Sequence, residues 1–137
     1  MAEDLEHGIP GHASKKEWAN RLQRWLREHE FSFEAEGEAV RIHLPGGAYV
    51  EITEAQDGGE GFEVAITVPL AGTGEEAEEA AKAFQEAMTV AKGLGGELRY
   101  ELDTSIPEYP SLKVARAFTD PEEMATRLME ALRPLAR

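Results

Sequence analysis

The chain has four histidines, His7, His12, His29 and His43, and 27 acidic side chains, so metal or acid–base chemistry is the first possibility to weigh. A zinc site usually brings its histidines close in sequence, for instance a turn apart on one helix. His7 and His12 lie in a Gly- and Pro-containing stretch and read as exposed side chains. His29 falls on the apolar face of a helical pattern and reads as a packing residue, while His43 points to the polar side of a strand. Hydrolysis by paired carboxylates needs two acids held roughly 5–10 Å apart across a cleft. Glu51 with Glu63, or Glu101 with Asp103, could meet on an open sheet face, but with 27 acids such pairings arise by chance. No Gly-x-Ser-x-Gly elbow surrounds Ser14, Ser32, Ser105 or Ser111, and there is no cysteine to act as nucleophile or thiolate ligand. Gly72-Thr73-Gly74 opens a helix as an anion nest would, but Glu75, Glu76, Glu78 and Glu79 crowd that helix start and would repel a phosphate. Gly93-Leu94-Gly95-Gly96 precedes a strand, the wrong order for a dinucleotide site. No catalytic, cofactor-binding or metal-ligating residue is expected, and no cofactor is implied.

What remains is surface. Residues 15–27 hold Lys15, Lys16, Arg21, Arg24 and Arg27 against one acid, Glu17, whereas residues 34–79 hold twelve acids against Arg41 alone. The basic stretch could lie beside the chain's own acidic loops, dock a second subunit, or, least favoured, touch nucleic acid. Ile106 and Tyr109 sit in a loop stiffened by Pro107 and Pro110, a place where apolar groups recognise partners more often than they pack cores. Arg116 shares parity with Val114 and Phe118, so it marks an edge-strand charge, a register shift, or a face that the monomer does not bury. Ile106, Tyr109, Arg116, Arg24 and Arg27 are the candidate partner-binding residues.

These side chains need elements to hold them. Ser14 and Glu17 form a capping box, and Trp18, Leu22, Trp25, Leu26 and His29 make one face of a helix over about 15–30. Glu34 to Glu38 reads as a link. Val40/Ile42/Leu44, Val50/Ile52 and Phe62/Val64/Ile66/Val68 then alternate with polar residues, separated by Pro45-Gly46-Gly47 and Asp57-Gly58-Gly59, which predicts an antiparallel meander. A second helix follows the Thr73–Glu76 capping box, with a stripe of Ala77, Ala80, Ala81, Phe84, Ala87, Met88 and Ala91 and Gly93 as its left-handed cap. Leu98/Tyr100/Leu102 and Leu112/Val114/Phe118 predict two more strands. Asp120-Pro121-Glu122-Glu123 starts a last helix, which Pro134 ends near Leu132. Every strand has one apolar face and every helix one stripe. The reading is therefore an α+β fold of two layers, a five-stranded antiparallel sheet with three helices in the order α-β-β-β-α-β-β-α. Residues 1–13 are expected to be a flexible N-terminal segment and 14–137 a single domain.

Composition narrows the class further. With 137 residues, 42% hydrophobic and 30% charged, the chain suits one soluble domain able to bury a core. A net charge of −13 argues against nucleic acid or an anionic membrane as the main partner. The acidic start lacks an apolar segment, so a cytoplasmic protein is expected. Twenty-three Glu, nine Arg and a single Asn fit a thermophile.

The element order, a length near 140 and the acidity resemble the fold of type III secretion chaperones and the related YbjN-like proteins, over about residues 15–133. No motif accompanies the resemblance, so no residue is carried over. It implies a homodimer that binds an extended segment of another protein, without a cofactor. The expected function is accordingly non-catalytic protein binding, of chaperone or adaptor type, with the dimer using the second helix and the 97–103 or 112–118 strand. The alternative is a small enzyme or ligand-binding protein with a pocket between helix layer and sheet. Two convergent acids of raised pKa beside His43 would favour it.

Overall fold

The computed structural model describes residues 10–36, 39–54, 61–70 and 75–136. Among these residues three helices, α1 (Pro10–Glu28), α2 (Glu75–Leu94) and α3 (Pro121–Leu132), accompany a sheet of six strands rather than five. The strands are β1 (Phe33–Glu36), β2 (Ala39–His43), β3 (Tyr49–Glu54), β4 (Phe62–Pro69), β5 (Arg99–Asp103) and β6 (Ser111–Phe118). All pairs are antiparallel, in the order β1-β2-β3-β4-β6-β5. The additional strand is β1, the segment read from sequence as a link. Its Phe33 and Ala35 lie on the core side of the sheet, opposite Ile42 and Val40, Phe33 half-buried and Ala35 exposed, while Glu34 and Glu36 take the other side.

The helices stand on the sheet face that carries Val40, Ile42, Val50, Ile52, Phe62, Val64, Ile66, Val68, Val114 and Phe118, and one apolar cluster joins the two layers. Trp18 of α1 meets Phe62 edge-on, their ring centroids 5.3 Å apart. α3 lies between α1 and α2 and packs against both. Its start follows the sequence closely: the Asp120 carboxylate accepts from the Glu122 N–H at 3.1 Å, with Pro121 at the first turn.

Four local expectations are corrected. α1 starts at Pro10, so Ser14 lies inside the helix and the Ser14–Glu17 box is not its beginning; residues 10–13 are helical. The buried face of α2 is Ala83, Ala87, Val90, Ala91 and Leu94, whereas Ala77 and Ala81 are exposed. Alanine occurs all round this helix, so its pattern defines no single stripe. Gly93 is not the cap. It is helical, and a Cβ there would sit 2.8 Å from the Ala131 Cα, so its lack of a side chain lets α2 and α3 approach; Gly95, at φ +66°, turns the chain out of the helix. The fourth concerns β5, whose core-side residues are not buried. The Asp57-Gly58-Gly59 turn, residues 1–9 and Gly72-Thr73-Gly74, with the Thr73 half of the capping box, lie outside the described residues.

Candidate protein-interaction surface

The helix layer stops short of the last strand, and Arg116 marks where it stops. On β6, Arg116 lies opposite Val64, on the core side of the sheet. Only 17% of its side chain is exposed. Its guanidinium donates to the Leu94 carbonyl at the end of α2, where a helix leaves carbonyls without intrahelical donors. It also lies 3.5 Å from the Glu123 carboxylate in the first turn of α3 and 4.1 Å over the Phe118 ring. Gly96 gives it room, since a Cβ there would come within 2.7 Å of the guanidinium carbon. The residue whose parity looked odd in the sequence thus ties two helix ends to the sheet. It is taken up by internal partners rather than offered outward.

Beyond Arg116 no helix among the described residues covers the core side of the sheet. Tyr100 and Leu102 of β5 lie opposite Val114 and Leu112, on the same face as the core, yet each is 59% exposed. The loop that follows carries Ile106 at 57% and Tyr109 at 70% exposure. A turn closed by the Tyr109 N–H donating to the Ile106 carbonyl, at 2.9 Å, sets these two side chains in the β5–β6 loop, and Leu70 bonds to Pro110 at its base. A second turn is built by Asp103, whose carboxylate accepts from the N–H and hydroxyl of Ser105 at 2.9 and 2.7 Å. Those two bonds hold the Asp103 carboxyl below its ordinary range. Ile106 and Tyr109, singled out in the sequence, therefore share one hairpin with Tyr100 and Leu102, which the sequence pattern reads as the apolar face of a strand. Among the described residues β5 is also an edge strand, with no described strand along one side of its backbone.

The candidate basic residues lie elsewhere. Arg21, Arg24 and Arg27 are exposed on α1. Arg21 reaches Glu122 of α3 at 2.8 Å, and Arg27 lies 5.5 Å over the Phe33 ring. Among the described residues Arg21 thus pairs with α3. On the open face of the sheet the acids pair with bases instead of with each other. Arg41 holds Glu51 at 2.8 Å, a bond that raises the guanidinium pKa, and Glu63 takes Arg99 at 2.5 Å and Lys113 at 3.4 Å. Glu51 lies across from Ala65 and Glu63 from Thr53, so the two carboxylates do not face one another. His43 is exposed, as expected, and lies 2.9 Å from Glu34. His29 packs against Trp25, ring centroids 4.5 Å apart.

A groove of about 960 Å³ opens where the ends of α1 and β2 meet α2, with His29, Phe31, His43, Glu79, Lys82 and Glu86 among its lining. Among the described residues no group of three or more His, Asp or Glu side chains is placed to hold a metal ion. No helix among them is long and apolar enough to cross a membrane.

No family model and no curated protein matches this chain. Among solved structures it is similar to YbjN from E. coli, a protein assigned provisionally to transcription regulation. The identity is 14%, the match covers 85% of this chain and 92% of that one, and the TM-score is 0.36.

Proposed function

We propose that this chain is a cytoplasmic, non-catalytic protein-binding domain of chaperone or adaptor kind that works as a homodimer. The observation that carries the reading is the β5–β6 hairpin, with Tyr100, Leu102, Ile106 and Tyr109 exposed together beside an unpaired sheet edge. Single exposed apolar residues are ordinary, but a run of them on one hairpin marks a surface that another protein covers. An uncovered edge invites strand pairing. β5 carries the charges Arg99, Glu101 and Asp103 on one side, but both of its core-side residues, Tyr100 and Leu102, are large, apolar and exposed. Here the strand half of the hairpin suits a second copy, and the loop half suits a segment of a partner.

Light scattering from low to high micromolar concentration tests the homodimer: the mass is expected to double. A mass that stays at the monomer value at high micromolar concentration would contradict it. The partner half is tested separately. A protein that co-purifies from native extract with the wild type is expected to be lost in Ile106→Ser/Tyr109→Ser, with the dimer intact. Retention of that protein by the double variant would count against the loop.

A ligand-binding protein is the second reading. The groove favours it, since His43, Glu79 and Glu86 line one cavity of about 960 Å³ at the junction of helix layer and sheet. A small molecule that raises the melting temperature of wild type and not of His43→Ala would support this reading.

A further inference from the structure

The order of charges along β5 goes further than a dimer and specifies how two copies meet. We infer that β5 of one copy pairs antiparallel with β5 of the other across a two-fold axis at Glu101, joining two six-stranded sheets into one. The inference rests on the homodimer reading above and adds its geometry.

Opposed residues in an antiparallel pair point to the same face. A two-fold axis that keeps both helix layers on one side must therefore oppose residues of equal parity. β5 reads Arg99-Tyr100-Glu101-Leu102-Asp103. Centred on Glu101, every residue of the strand is opposed: Arg99 by Asp103 of the other copy, Tyr100 by Leu102, and Glu101 by itself. Opposite charges and aromatic–aliphatic pairs face one another twice each, and both kinds of pair favour association. The central Glu101 pair is flanked by Lys113, the residue opposite Glu101 on β6, on either side. Moving the axis to Leu102 sets Glu101 against Asp103 twice, and moving it to Arg99 sets Arg99 against itself. An axis on Tyr100 opposes Arg99 to Glu101 and Tyr100 to itself, leaves Leu102 and Asp103 facing residues outside the strand, and brings Glu97 against Asp103. Charge complementarity and full use of the strand select Glu101. In this arrangement the exposed Tyr100 and Leu102 cover those of the second copy on the helix side.

A charge swap tests this. Arg99→Asp gives a β5 with acids at both ends, and Asp103→Arg gives one with arginines at both ends. Each variant alone is expected to dissociate, with a dissociation constant about tenfold or more above wild type. Mixed together they are expected to form a heterodimer, because each acid then faces an arginine. Restored association also shows that both variants are folded. The cysteine-free sequence permits a second probe, since Glu101→Cys introduces a single thiol next to its own copy. It is expected to form a covalent dimer under mild oxidation, while Arg24→Cys on α1 does not. If the wild type dimerises but Arg99→Asp still does so, or mixing fails to rescue, or the Glu101→Cys thiol does not cross-link, this geometry is wrong and the dimer stands on another surface. A monomeric wild type would overturn both.

Discussion

The sheet has two edges, and the fold treats them differently. At β1 the core-side Phe33 is half-buried, with Arg27 of α1 5.5 Å over its ring. α1 closes with Glu30 in a left-handed conformation at φ 60° and the Phe31 N–H bonded back to Leu26 at 2.9 Å. That turn stacks Phe31 on Trp25, centroids 5.7 Å apart, beside the start of β1. Both edge strands are short and charged, β1 with Glu34 and Glu36, β5 with Arg99, Glu101 and Asp103. What sets β1 apart is the helix over its core side, one of the ways in which proteins protect an edge. At β5 the helix layer ends at Arg116, and two large apolar side chains remain in the open. The same sheet thus has a finished edge and an unfinished one among the described residues, and the proposed partner would sit at the unfinished one.

Four changes would break or sharpen this contrast. Arg116→Ala should have the largest effect on stability, about 1–3 kcal/mol in urea unfolding, because the Leu94 carbonyl loses its donor and the Phe118 ring its cover. Phe33→Ala should cost about 1–2 kcal/mol, less than a fully buried Phe, and leave association unchanged. Tyr100→Ser/Leu102→Ser should change unfolding by less than about 0.5 kcal/mol while abolishing the proposed dimer, with light scattering as the check. A large loss of stability there would mean that these side chains are core and not interface. Ser105→Ala should act least, raising the Asp103 pKa toward the ordinary carboxylate range in an NMR titration. The sign follows from the depressed folded value: what this carboxylate adds to stability is present above its unfolded pKa and lost as pH falls through the folded one.

Sequence periodicity located all three helices and five of the strands, because alternation and i, i+4 spacing are local signals that tertiary packing did not override here. It missed β1, whose inward positions are Phe33 and the small Ala35, too little contrast over four residues to register as alternation. Nor did it see the true α2 stripe, since an Ala-rich helix looks alike from several sides. The exposure of Ile106 and Tyr109 was legible from the flanking prolines. That of Tyr100 and Leu102 was not, because their alternation is that of a buried strand and only the reach of α2 and α3 decides whether anything covers them. Arg116 was legible as an anomaly, while its explanation needed two helix ends far away in sequence.

Hydrogen exchange at low and at high micromolar concentration compares the two edges directly. The outward amides of residues 99–103 should gain protection as concentration rises, and those of 33–36 should not change. Protection that appears at 33–36 instead, or at neither edge, would contradict the assignment of β5 as the unfinished edge.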